Sequence, residues 1–289
     1  MPRLRAVLIA SLAFVAVACA EASAPIATPT TPSGANDIVL RVGYEGGFVA
    51  PSYLVTNTPF FALYGDGTLI EPGAQAEMYP GQALPPLLQR SLGPDAVAAI
   101  VQRALDAGLD HDATYTDLGN VGVADAPDTV FTLVSDGQTH TVRVYALGIA
   151  DGPDRPDGMA ADQWEARRAL AGLVTDLQTV DSWLPAGSIS EPTPYVGDAA
   201  ILLVGPYRPD DQLPQEPIPW PIEGSLASAG TPVPYDDSTR CLVVVGDDWR
   251  SVHELALGAN QLTPWTDDGK RFGLLFRPLL PDEPRSCPV

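Results

Sequence analysis

Two Asp-Gly dipeptides, Asp66-Gly67 and Asp136-Gly137, each stand between two apolar runs, and each is followed downstream by a segment with helical periodicity. Asp-Gly between alternating apolar residues is a strong local signal for a hairpin, because both residues tolerate positive φ. Before the first pair run Ile38 to Val42 and Pro59 to Tyr64, and after it Thr68 to Ile70. The second pair joins Thr129–Val134 to Thr139–Leu147. A hairpin alone cannot bury its apolar face, so each needs a helix or another sheet to cover it.

The covering helices are legible. Pro94 suits the first turn of a helix and Gly108 its C-terminal end. Between them Val97, Ile100, Val101, Ala104 and Leu105 share one face. A second helix is expected over residues 161–180, with Ala166, Leu170, Leu173, Val174 and Leu177 inward. The expectation is an α+β fold: a duplicated hairpin-plus-helix unit over residues 37–184, one antiparallel sheet with both helices on one side. A proline-rich linker over 185–198 then leads to a smaller β-α-β unit over 199–289. There Ala199–Val204 and Arg240–Gly246 read as strands, with a proline-rich loop between them. Asp247 and Asp248 are expected to cap a helix burying Val252, Leu255, Ala256 and Ala259 and ending at Asn260, before a strand over Arg271–Leu280.

The N-terminal region reads as export machinery. Arg3 and Arg5 precede an uncharged apolar segment from Ala6 to Ala18, which is too short to span a bilayer and fits a secretory signal peptide over 1–18. Ala16-Val17-Ala18-Cys19 resembles the lipobox of bacterial lipoproteins, which implies lipidation of Cys19 and anchoring at the outer face of the cell membrane. The same residues, and Ala22-Ser23-Ala24, also read as ordinary small-x-small cleavage signals, which would release the chain as a secreted protein. Three cysteines in an exported chain leave one over. Cys241 and Cys287 are expected to pair as a disulfide, and a lipidated Cys19 would leave no orphan. Residues 19–36, rich in Pro, Thr and Ala, have no hydrophobic period and are expected to form a flexible tether.

Charge narrows the partners. A net charge of −20 becomes about −22 once Arg3 and Arg5 are removed, and Lys270 is the only lysine. Nucleic acid and anionic lipid are therefore disfavoured, since phosphate binding needs clustered cations. Membrane contact is expected through the N-terminal lipid only.

Catalytic signatures are missing. The chain has no G-x-S-x-G, and Ser225 lacks its flanks. His253-Glu254 begins an H-E-x-x-H pattern that ends in Leu257. His111, His140 and His253 are scattered, and Asp110-His111-Asp112 fits a post-helix turn. Asp151, Asp154 and Asp157 lack calcium-loop spacing. No catalytic residue, metal ligand or cofactor is assigned. Aromatics on glycine- and proline-rich segments are the remaining lead: Phe48, Tyr53, Tyr195, Tyr207, Trp220 and Tyr235 suit a recognition surface.

Two family resemblances accompany this reading. Gly46-Gly47-Phe48, the first helix, Asp128–Leu133 and His140-Thr141-Val142 resemble emfourin, an inhibitor of thermolysin-like metalloproteases, over residues 37–147. That resemblance implies inhibition of an extracellular protease; the spacing departs from the family, so no inhibitory residue is carried over. FALYGDGTLI, RCLVVVG with its helix and LTPW, and RPLLPDE resemble uncharacterised secreted or lipid-anchored proteins of actinobacteria and Chloroflexota, a family without an established activity. The expectation is a non-enzymatic envelope binding module for an extracellular protein, peptide or glycan. The alternatives are a secreted hydrolase with an unrecognised carboxylate site, or an extracellular metalloprotease inhibitor.

Overall fold

The computed structural model describes residues 29–287. The signal segment, Cys19 and residues 20–28 lie outside the described residues. The architecture is α+β, as expected, with two sheets. The first contains β1 (Ile38–Glu45), β2 (Phe61–Tyr64), β3 (Thr68–Pro72), β4 (Leu87–Ser91), β5 (Ala113–Tyr115), β6 (Asp128–Ser135), β7 (Gln138–Tyr145) and β8 (Thr193–Pro194). The second contains β9 (Ala199–Pro206), β10 (Ile218–Pro219), β11 (Thr231–Val233), β12 (Asp236–Val245), β13 (Trp265–Asp267) and β14 (Lys270–Pro278). Among the described residues four α-helices accompany them, α1 (Pro51–Thr56), α2 (Pro94–Asp106), α3 (Ala161–Gln178) and α4 (Gly246–Ala256), with a short 3-10 helix at Val180–Ser182. Among the described residues no helix is long and apolar enough to cross a membrane.

The first sheet runs β5-β7-β6-β1-β2-β3-β4-β8, antiparallel except where β5 pairs with β7. Both Asp-Gly turns form. Asp136 and Gly137 carry φ of 50° and 72° between the partners Ser135 and Gln138, the two-residue turn whose twist suits a hairpin. At Gly67 a Cβ would lie 2.3 Å from the Leu92 carbonyl oxygen, so any larger residue collides with the chain leaving β4. Helices α2 and α3 cover one face, where Ile100, Val101, Leu170 and Leu173 pack with Leu40, Leu63, Phe131 and Val142. Each fully buried side chain of this size contributes about 1.5–3 kcal/mol relative to exposure.

Several elements depart from the expected pattern. Strands β4, β5 and β8 and helix α1 were not anticipated; they are short and lack a full period. In α3, Ala166 and Val174 are only partly buried, while Arg167 is fully buried. The segment expected as a linker is stitched to the edge of β4. Tyr195 donates its backbone N–H to the Leu87 carbonyl and Ser190 donates to that of Ser91, because an edge strand offers unpaired groups. The described end of the expected tether is likewise docked. Thr30 donates its N–H and hydroxyl to the Asp136 carboxylate, each at 2.8 Å, and its carbonyl accepts from the Asp136 N–H.

The second sheet runs β10-β13-β14-β9-β12-β11, antiparallel except for β10 with β13. Its central strand β9 is buried from Ala199 through Val204, and alternation divides it. Ala200, Leu202 and Val204 meet Trp249, Val252 and Ala256 of α4. Ala199, Ile201 and Leu203 meet Val233, Leu279, Val55 and the Cys241–Cys287 disulfide. A disulfide fits an oxidising, extracytoplasmic compartment.

Three expectations about α4 are corrected. Asp247 and Asp248 lie inside its first turn rather than at the cap, and neither side chain caps the helix; Asp247 instead pairs with Arg250. The inward residue is Trp249, fully buried and donating from its indole N–H to the Val196 carbonyl, whereas Leu255 is exposed. The helix ends at Ala256, and Asn260 instead makes a turn by accepting from the Leu262 N–H.

The other face of the first sheet meets the C-terminal segment. Ala62, Tyr64 and Ile70 pack on Leu280 and Tyr195. Asp282 accepts from Arg41 at 2.6 Å and from the Tyr64 hydroxyl at 2.8 Å, and Arg277 donates through Nε to the Asn57 carbonyl.

Candidate functional site

The glycine-rich stretch after β1 produces the most exposed aromatic surface. Gly46 and Gly47 adopt φ of 71° and 81°, a conformation that L side chains rarely take. The turn brings Phe48 to donate its N–H to the Asp125 carbonyl at 3.1 Å, so the loop is pinned although its side chain is 87% exposed. Pro51 opens α1, which follows at once and buries none of its residues fully. Tyr53 and Leu54 are therefore exposed, while the neighbouring Val55 packs inward against the second sheet.

Tyr44 completes this ledge. Its ring lies 5.5 Å from that of Phe60, and its backbone carbonyl accepts from the Asn57 side chain at 2.9 Å. Partial burial, with Tyr53 close by, pushes the Tyr44 phenol above its ordinary range, so it stays a neutral donor. Tyr44 and Leu54 share a shallow groove of about 220 Å³ with Arg41, Glu45 and Asn57. Glu45 pairs with Arg143 at 2.7 Å. The ledge combines rigid backbone, exposed apolar side chains and a polar rim, which is the anatomy of a recognition surface.

The other aromatics expected for recognition do not join it. Trp220 packs edge-on to Trp265 at 6.1 Å, and Tyr195 donates its hydroxyl to the Leu279 carbonyl at 2.7 Å. Both serve the packing of the fold. Tyr207 is half-buried beside β9, and Tyr235 is exposed on the turn between β11 and β12. Sequence reasoning overlooked Tyr44, Val49 and Leu54. The signal for Val49 and Leu54 was the mostly apolar stretch Phe48 to Val55, too short to present a complete buried helix face; Tyr44 lies before it, on β1.

A larger cleft, about 450 Å³, follows the seam between the sheets and is lined by Asp66, Gln89, Tyr195, Asp198, Glu283 and Arg285. Its buried carboxylate is engaged: Glu283 accepts from both terminal nitrogens of Arg277, at 2.8 and 2.5 Å, and from the Leu280 N–H. Burial first, then the nearby acids, drive the Tyr195 phenol far above its ordinary range; Tyr64 is driven the same way by burial and Asp282. These groups hold the seam as ion pairs and neutral hydroxyl donors.

The histidines stay apart. His111 is exposed against Asp110, and His140 sits 3.9 Å from Asp112. His253 lies edge-on to Trp249 at 5.3 Å, where burial lowers its pKa. Asp151 turns inward to accept from Arg167 Nε at 2.6 Å, which takes it away from Asp154 and Asp157. Among the described residues no cluster of three or more His, Cys, Asp or Glu side chains is arranged to hold a metal ion. Comparison of the chain with protein-family models, curated proteins and solved structures found no match.

Proposed function

We propose that this chain is an exported, lipid-anchored envelope protein whose ledge, Tyr44 to Leu54, binds an extracellular protein, peptide or glycan without catalysing a reaction. The observation that carries this reading is Phe48, which keeps most of its ring in solvent while its backbone is fixed by a double-glycine turn. Exposed large apolar groups gathered on one rigid segment support an interaction surface, since scattered single residues are the ordinary case. Tyrosine and other aromatic anchors carry much of the binding energy where they are desolvated.

Topology favours an outward-facing partner. The chain enters at Pro29 to Ser33, beside Asp136 and Gly65 at the Ile38 end of β1. The ledge begins at the other end of that strand, roughly 25 Å away for eight extended residues. A lipid at Cys19 would therefore join the described body at the end of β1 opposite the ledge.

Phe48→Ser with Leu54→Ser is expected to fold normally and to lose saturable binding to envelope extract. Equal capture by the wild type and the double variant would overturn the ledge. The anchor is tested by mass spectrometry of the mature N-terminus. A lipid-modified Cys19 is expected; an unmodified peptide beginning at Glu21 or Pro25 would remove it.

A further inference from the structure

A second site lies on the second sheet, at the end of β14 remote from Arg277 and the Asn57 contact. There β9 stops while β12 and β14 begin, and a pocket of about 360 Å³ opens among Val204, Leu226, Arg240, Lys270, Arg271 and Phe272. Alternation along β12 and β14 puts Arg240 and Lys270 on the same face as Val244, Phe272 and Leu274, the face that α4 covers further along. Arg271 belongs to the opposite face. The only lysine of a chain with net charge −20 thus shares a pocket with an arginine.

These cations differ from the buried ones. The least exposed arginines, Arg90, Arg167 and Arg277, each hold a carboxylate. Among the described residues, Arg240, Lys270 and Arg271 form no ion pair. Arg240 is instead clamped by backbone: Nε donates to the Ala229 carbonyl at 2.8 Å, and Nη2 to those of Gly230 and Ser228 at 2.7 and 3.2 Å. Its Nη1 has no hydrogen-bond partner among the described residues. The clamp is rigid because Gly230, at φ 66°, is pressed on β12, where a Cβ would fall 1.9 Å from the Cys241 carbonyl oxygen.

Two of the neighbouring acids keep their charge but are turned to neutral donors. Asp236 accepts from the Ser238 N–H and hydroxyl and from the Thr239 hydroxyl. Asp267 accepts from the Ser225 hydroxyl and the Leu226 N–H. The chain's distant negative charge is screened over roughly 8 Å at physiological ionic strength, so the pocket's field is set locally, by its three cations against Asp267 and Asp268 beside Lys270.

We infer that this pocket binds the oxyanion of a small acid or acidic sugar, with Arg240 Nη1 and the Lys270 ammonium donating to it and Leu226 and Phe272 walling its carbon skeleton. The site is separate from the ledge and stands whether or not the ledge binds a partner. Charge-assisted donors are the strong ones, and a prefixed guanidinium loses little freedom on binding.

The test is a titration of isotope-labelled full-length protein at constant ionic strength, followed by NMR, with galacturonate, sodium sulfate and neutral galactose as probes. Saturable shifts at residues 226, 240, 270 and 272 with galacturonate or sulfate, and none with galactose, are expected. Response to both anions identifies a general oxyanion site; response to galacturonate alone identifies an acidic sugar. Lys270→Glu, at the exposed start of β14, should raise the dissociation constant about ten-fold or more, while Arg168→Ala, on the exposed face of α3 over the other sheet, changes it less than about two-fold. Absence of a saturable response in the wild type, or an unchanged affinity in Lys270→Glu, would sink the proposal.

Discussion

The two sheets solve the same covering problem by different means. The first has two long helices on one face, and where α3 crosses the loop after β7 it buries an arginine. Arg167 is fully buried and satisfies Asp151 together with the carbonyls of Tyr115, Tyr145 and Ala146. The second has one short helix, proline-rich loops and a disulfide joining β12 to the tail. Where helix supply is ample, a polar network sets how the loop is held. Where it is scarce, a covalent tie limits the unfolded chain instead.

Four experiments press on that contrast, beginning with the largest effect. Arg167→Met strands the Asp151 carboxylate in the interior. Breaking one side of a buried pair costs about 3–5 kcal/mol, so urea denaturation should show a loss of that size. Hydrogen exchange should place the loss first at β7 and α3. Early loss at β9 and α4 instead would mean that the sheets share one cooperative unit.

Cys287→Ser acts on the second sheet. Opening a loop of 46 residues removes about 4 kcal/mol by chain entropy, less where strain or residual structure intervenes. Thermal unfolding with and without reductant checks it, and a reductant effect retained in Cys287→Ser would show that the assignment is wrong.

The seam between the sheets responds to alkali. The Tyr64 phenol is raised above its ordinary value near 10 by burial and by Asp282, so the folded state keeps a proton that the unfolded state releases. Stability from this group is full below about pH 10 and declines as pH rises above it. Tyr64→Phe should cost about 1 kcal/mol at pH 7 through the lost hydrogen bond, and should flatten the decline above pH 10. Equal slopes in the two proteins would assign the alkaline loss elsewhere, Tyr195 being the next candidate.

The smallest effect belongs to the ledge. Phe48→Ser removes an exposed ring, so melting should move by no more than about 0.5 kcal/mol in either direction. A larger destabilisation would mean that Phe48 packs against the body of the protein, and the ledge would lose its anchor.

The hairpins, the two long helices and the disulfide were legible because each rests on local chemistry or on counting. Asp136-Gly137 tolerates the positive φ that a two-residue hairpin turn requires, and Pro94 with Gly108 marks the two ends of a helix through local backbone preference. The candidate surface was half legible: Phe48 and Tyr53 were expected, while Tyr44 and Leu54 join them where the Asn57 side chain ties the end of α1 to the Tyr44 carbonyl. Trp220 and Tyr195 were expected at the surface, yet partners distant in sequence draw both into packing.

Local sequence determined the turns, the helical faces and a cysteine pair able to close the C-terminal unit. Tertiary structure alone decided that Arg167 goes inside, that the segment from Ser190 to Tyr195 zips to β4, that Asp282 bridges to Arg41, and that Arg240 and Lys270 line one pocket. The physical reason is range. Backbone preference acts over a few residues, whereas burial of a charge depends on which partners the completed fold delivers to it, 16 residues away for Asp151 and 241 for Asp282.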